Sequence, residues 1–199
     1  MTRWYAEKKH EHFYKEAKKK GYRARSAFKL LQIQKKFNII KTGNFIVDLG
    51  AAPGGWSQVA KELVDSNGKI VGIDLLHIDP LDGVTFLQGD MTEDESLNEI
   101  LKLSEGRKAD VVLSDMSPDI SGNYSVDQAR SIFLCEKALD AVKALLKPGG
   151  SFVCKVFEGE DLNDFIEKTK ESFETIKKHH PKASRKSSSE IYIIAKSFK

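Results

Sequence analysis

Apolar positions recur along the chain at two different periods. Between 23 and 37, Ala27, Leu30, Leu31 and Phe37 fall on one helical stripe, which predicts a helix over that stretch. Residues 1–20 are strongly basic and predict a frayed helix. Beyond residue 43 the pattern changes to short, nearly continuous apolar runs. Those at 44–49, 69–74, 84–87, 109–115 and 151–157 predict strands. Between them, 57–65, 93–103, 125–146 and 162–173 predict helices, and Pro148-Gly149-Gly150 stops the longest. Two last strands, 175–178 and 190–195, are joined by a basic loop and could form a hairpin edge.

Strands without polar alternation are buried on both faces. Alternating strands and helices then predict an α/β fold, a mostly parallel seven-stranded sheet with helices on both faces. The expected organisation is a single domain over 1–199, with a basic helical extension (1–41) and an α/β core (42–199).

Composition narrows the class. The chain is 40% hydrophobic and 31% charged, a globular balance and not a disordered one. The first residues, MTRWYAEKKH, lack the apolar core of a signal peptide, and no apolar run approaches membrane-spanning length. Cys135 and Cys154 sit in apolar contexts with no CxxC and no histidine at metal spacing, so buried reduced thiols are expected. A cytoplasmic protein without a membrane association follows.

The net charge of +3 conceals an asymmetry. Residues 1–41 carry thirteen Lys/Arg against three acids, and 177–199 carry seven against one. The middle, 42–176, carries twelve against twenty-five. Two basic ends around an acidic centre point to a polyanion partner, provided the ends meet in space.

Candidate chemistry begins at Asp48, with DLGAAPGGW. A strand, a glycine turn and a helix make the ligand-binding geometry of doubly wound sheets. The turn is not GxGxxG, which disfavours a dinucleotide pyrophosphate. Asp74, Asp90 and Asp115 end the next three strands. Asp74 can accept hydrogen bonds from two ribose hydroxyls, and Asp90 can reach an adenine amino group. Carboxylates in place of arginines suit a ligand with ammonium, sulfonium and ribose groups and no phosphate, which describes S-adenosylmethionine.

DLGAAPGGWSQ, GIDLL, FLQGD, SDMSP, GGSFVCKVF and SSEIYIIA together resemble the RrmJ/FtsJ family of RNA 2′-O-methyltransferases, over about residues 22–196. The resemblance implies a Rossmann-like class I S-adenosylmethionine-dependent methyltransferase. It implies cofactor contacts at Gly54, Trp56, Asp74, Asp90 and Asp115, although Trp56 can also be read as helix packing. It implies a catalytic tetrad of Lys29, Asp115, Lys155 and Glu190, all four present.

The tetrad residues are also unusual in their own right. Lys155 lies in an otherwise apolar strand, where an unpaired ammonium would be costly, so it must escape to the strand's end or be paired. Glu190 is the only acid in the last twenty-three residues; a simple salt bridge to Arg185 or Lys186 is its plain alternative. Lys29 lies off its helix's apolar stripe. Arg25 stands four residues before it, so the two repel by about a few tenths of a kcal/mol unless something anionic faces them. Tyr22 on the same side would suit RNA, whose bases stack on aromatics and arginine planes.

A ribose 2′-hydroxyl attacking a sulfonium methyl must lose its proton. Lys155 is either the general base or an orienter of the oxygen lone pair, and the general base is the preferred reading. Asp115 then orients it, and Lys29 and Glu190 place the ribose. No metal is needed, because the acceptor is one oxygen and the leaving group a neutral thioether.

Other chemistries fit less well. Base-amino methyltransferases usually carry an aromatic after an Asp/Asn-Pro-Pro turn, whereas Asp119 follows Asp115-Met116-Ser117-Pro118 here. A cysteine nucleophile would need an exposed thiol, and Cys154 should point to the sheet face opposite Lys155. A non-catalytic cofactor-binding RNA module would show a broken tetrad. The expected substrate is a uridine of 23S-type ribosomal RNA within the large subunit, with the tRNA anticodon loop as the alternative and no obligate protein partner.

Overall fold

The strands predicted as apolar runs lie side by side in one seven-stranded sheet, ordered β3-β2-β1-β4-β5-β7-β6. The structure is a computed structural model that describes residues 13–184 and 188–199. Most of the basic stretch 1–20, and both Arg185 and Lys186, therefore fall outside the described residues.

In chain order the elements are α1 (13–19), α2 (Ala27–Phe37), β1 (Phe45–Leu49), α3 (Gly55–Val64), β2 (Lys69–Asp74), β3 (Thr85–Gln88) and α4 (Asp94–Leu103). They continue with β4 (Ala109–Ser114), α5 (Tyr124–Leu145), β5 (Leu146–Phe157), α6 (Leu162–Ser172), β6 (Phe173–His179) and β7 (Glu190–Phe198). Strands β1 to β5 pair in parallel, and β7 runs antiparallel to both of its neighbours.

Every residue of β1 and β4 is buried, as strands covered on both faces must be. One face packs Val47, Leu49, Val112, Phe152 and Cys154 against α4, α5 and α6. The other packs Ile46, Leu113, Val153, Tyr192 and Ile194 against α2 and α3. Cys154 and its neighbour Lys155 thus point to opposite faces, and both cysteines are buried and unbridged. Among the described residues no helix is long and apolar enough to cross a membrane.

Three local expectations need correction. Helix α2 starts at Ala27 and not at residue 23, because the preceding turn is bonded elsewhere: Arg23 N–H donates to Gln58 Oε1 at 3.0 Å, and Ser26 O accepts from Trp56 Nε1 at 2.9 Å. Its core stripe is Ala27, Leu30 and Ile33, while Leu31 and Phe37 are only partly buried. Pro148-Gly149-Gly150 does not end α5; the helix ends at Leu145, and these residues form an irregular start to β5, where the β4 register shifts between Ala109 and Val111.

The last two strands do pair antiparallel, but β7 is interior, between β5 and β6, and only β6 forms the edge. The insertion brings the two basic ends together. Lys36 of α2 lies 3.4 Å from His179 of β6, Lys196 of β7 donates to Phe37 O, and Gln32 Oε1 accepts from Ala183 N–H at 3.2 Å.

Candidate active site

The parallel strands all end on one side of the sheet, and three of the five expected cofactor residues, Asp74, Asp90 and Asp115, line a cavity of about 650 Å³ there, whereas Gly54 and Trp56 do not. That volume suits a cofactor-sized molecule. Asp74, Asp90 and Asp115 contribute carboxylates from the ends of β2, β3 and β4. Asp74 is held by the loops it shapes: Oδ2 accepts from Ala52 N–H and Oδ1 from Leu76 N–H, both at 2.9 Å. Asp90 Oδ1 accepts from Thr92 N–H at 2.8 Å. Leu75, Leu76 and Phe133 line the same cavity yet are more than half exposed, an apolar rim that a bound ligand would cover.

The glycine turn is tight for two reasons. Gly50 has φ +69°, and a Cβ there would lie 2.2 Å from Met116 Cγ. Gly54, at the N-terminus of α3, has φ +101° and faces Arg23. Trp56 turns its indole away from the large cavity. It is 3% exposed, donates to Ser26 O and stacks on Tyr192 with ring centroids 5.6 Å apart. Trp56, Asp48, Gly50 and Asp115 border a smaller cleft beside it.

The four expected catalytic residues converge next to that cleft. Lys155 lies opposite Tyr192 in the β5–β7 ladder, and Glu190 lies two residues from Tyr192, so all three share one face. Lys29 reaches the same face from α2. Lys29 Nζ sits 2.6 Å from Glu190 Oε1. The two form a close buried ion pair. Lys155 Nζ is 3.3 Å from Asp115 Oδ1 and donates to Asp115 O at 2.6 Å. Lys29, Lys155 and Glu190 are each at least nine-tenths buried, and two ammoniums face two carboxylates, as buried charges require. Burial works against the charged form of Glu190, but Lys29 and then Lys155 outweigh it and hold its carboxyl below the ordinary range.

The model of the FtsJ-like methyltransferase family matches residues 22–198. This chain belongs to that family. Over 186 residues it is 53% identical to a protein of Methanothrix thermoacetophila named ribosomal RNA large subunit methyltransferase E, covering 94% of this chain and 72% of that one. A protein of the same name from Marinobacter nauticus is 47% identical over 198 residues, 100% of this chain and 96% of the other. Among solved structures, fibrillarin of Aeropyrum pernix with natively bound S-adenosyl-L-methionine shares the fold, with a TM-score of 0.60 at 14% identity over 85% of this chain and 76% of that one.

This FtsJ-like methyltransferase contains site residues that sequence reasoning missed. Tyr192 donates its phenol O–H to Asp115 Oδ1 at 2.6 Å, and Lys29 lies over its ring, 5.6 Å from the centroid. Burial, with Asp115 and Glu190 beside it, pushes the Tyr192 phenol well above its ordinary range, so it stays a donor. The available signal was its position, two residues after Glu190 on an apolar strand. Outside the cavity, Arg23 ties the turn before α2 to the loop between β2 and β3, donating at 2.6 Å both to Asp79 O and to Pro80 O. Tyr22 does not offer a free aromatic face: it donates to Glu62 at 2.8 Å and packs edge-on against Phe28.

Asp48 is the remaining buried acid of the site. Burial pushes its carboxyl up to about 7; Asp115 and Asp74 add to this, while a 2.6 Å hydrogen bond from Ser57 opposes it. Its folded value lies above the ordinary 3.8, so its stabilising effect is full below 3.8 and is lost as pH rises through about 7. Asp48→Asn removes that loss. Thermal unfolding without cofactor should show the variant gaining on the parent from pH 4 to 7, by up to roughly 4 kcal/mol, then levelling off. A gap that does not change with pH would contradict this.

Proposed function

We propose that this chain methylates a ribose 2′-hydroxyl in RNA, using S-adenosylmethionine, and that the nucleotide is a uridine of large-subunit ribosomal RNA. The observation that carries the reading is the sharing of Asp115. It lines the cofactor-sized cavity and also contacts Lys155, at the centre of a buried Lys-Asp-Lys-Glu cluster. The cavity suits the cofactor: its charged lining is carboxylate except for Lys137, which matches a ligand without phosphate. We read residues 1–199 as a single methyltransferase domain, which the family match over 22–198 supports.

Asp74 would hold the cofactor's ribose hydroxyls and Asp90 its adenine, with Gly54 and the start of α3 closing the turn. Trp56 would contribute through the helix it anchors and through its place at the smaller cleft. S-adenosylmethionine supplies an electrophilic methyl on a neutral leaving group. Lys29 and Glu190 would place the substrate ribose between α2 and β7. Lys155, steered by the two oxygens of Asp115, would first release one ammonium proton to solvent and then, as the neutral amine, accept the 2′-hydroxyl proton as the oxygen attacks. Tyr192 would hold the Asp115 carboxylate in place. Much of the rate would come from this positioning.

The basic ends support RNA as the partner. Lys29 and Glu190 belong to them and pair within the cluster, and Lys36 lies near His179 further along α2. Raising salt should weaken RNA binding steeply, because each neutralised phosphate releases counterions; a flat response in a filter-binding titration would contradict this. The names of the relatives support the ribosomal substrate. Methyl incorporation into free ribosomal RNA, large subunits and tRNA tests it. Preference for large subunits is expected, and activity on tRNA alone would favour the anticodon-loop alternative.

A further inference from the structure

Outside the catalytic cluster, the most unusual surface is the segment that leaves Asp115 and enters α5. Ile120 is 65% exposed and Tyr124 57%, although both are large and apolar. The segment is nevertheless tied down. Buried Asp127 accepts from both Ser121 N–H and Ser121 Oγ, at 2.8 and 2.7 Å. Arg130 donates to Asp119 O at 3.2 Å, and Asn123 caps α5 by accepting from Ser125 N–H and Val126 N–H.

Tyr124 itself is pinned. Its phenol O–H donates to Glu158 O, just beyond the end of β5. Gln128, one turn along the same face of α5, packs so closely under Gly159 that a Cβ there would lie 2.3 Å from its Cγ. The ring is therefore fixed at its polar tip, while most of it faces solvent. Its anchor is three residues beyond Lys155, about 10 Å along the chain, and next to Phe157, which pairs with Glu190. Tyr124 is thus a rigid aromatic, held at its tip and more than half exposed, beside the chain that leads away from Lys155.

We propose that Tyr124 is a stacking platform for an unpaired RNA base within one nucleotide of the methylated ribose. Stacking needs a rigid π-face and no base-specific hydrogen bond. The surrounding charge selects the base over the backbone. Three exposed acids there, Asp119, Glu158 and Glu160, outnumber the cation beside them, Arg130, and repel phosphate on balance, whereas the basic ends that attract it lie on α2 and the last strands. The base would turn toward Tyr124 while its phosphates follow the lysines. This assignment rests on the ribose-methylation reading and extends it to a residue that holds the target.

The test uses the full chain with Tyr124→Ala and Tyr124→Phe, each checked by thermal unfolding. Steady-state methylation of naked ribosomal RNA and of large subunits gives KM for RNA, KM for cofactor and kcat. Tyr124→Ala should raise KM for RNA by roughly ten- to a hundredfold, with KM for cofactor and kcat within about threefold. Tyr124→Phe, which keeps the ring and loses only the hydrogen bond, should stay near the parent. An unchanged KM in Tyr124→Ala overturns the proposal. So does Tyr124→Phe failing as badly as Tyr124→Ala, and so does a loss confined to assembled subunits, which would mark a protein contact. A single-stranded oligoribonucleotide carrying 2-aminopurine separates this from the underlying reading. If the parent methylates no RNA, that reading fails; quenching lost in Tyr124→Ala and kept in Tyr124→Phe still supports the platform, and equal quenching in all three overturns it.

Discussion

Lys155→Ala is expected to lower kcat by at least about a thousandfold while cofactor affinity changes by no more than a few fold. The asymmetry follows from where the side chain points. Lys155 Nζ is held by Asp115 Oδ1 and Asp115 O, on the side of the tetrad, and the residue does not line the large cavity. Removing it takes away the group proposed to receive the 2′-hydroxyl proton and leaves Asp74 and Asp90 as they were. Asp115 retains its hydrogen bond from Tyr192, so its carboxylate keeps one donor and the cavity wall keeps its shape. Calorimetric titration with the cofactor, beside single-turnover methyl transfer, separates the two effects. A variant with full turnover would overturn the assignment of Lys155 as the base.

Asp115→Asn should fail in both halves of the reaction. The carboxylate contacts Lys155 and Tyr192 and also lines the cofactor cavity. Neutralising it leaves a buried ammonium without its anion, which costs stability on the order of 3 kcal/mol. It also removes the group that aims Lys155, worth about a hundred- to ten-thousandfold in kcat. The expected signature is a large fall in kcat, a rise in KM for the cofactor of roughly tenfold or more, and a lower Tm. A fall in kcat alone, with KM for the cofactor unmoved, would contradict the shared role given to Asp115.

The strands β1, β2 and β4 were legible because they are nearly continuous apolar runs that alternate with helices. The Asp-ended strands were legible because a parallel sheet carries all its carboxyl ends to one side. The place of β7 was not, since its insertion between β5 and β6 depends on non-local pairing that no local pattern records. Yet that insertion sets Glu190 and Tyr192 beside Lys155. The partner of Glu190 was equally hidden: nearby Arg185 and Lys186 were plain candidates in sequence, whereas Lys29, 161 positions away, makes the contact. Lys29 could be placed off its helix's apolar stripe but not seen to be buried, because its burial depends on that distant carboxylate. Tyr22 looked free for RNA because nothing in its neighbourhood announces Glu62.

The glycine segment beginning at Asp48 marks a cofactor site that could serve many methyl acceptors. On the mechanism proposed above, the cluster of Lys29, Asp115, Lys155 and Glu190 narrows the acceptor to a ribose oxygen. The most direct test is to incubate the chain with total RNA and S-adenosylmethionine carrying a labelled methyl group, and to map the labelled nucleotide by mass. The account predicts the label on the ribose 2′-oxygen of a uridine in large-subunit ribosomal RNA. Label on a base, or on tRNA alone, would contradict it.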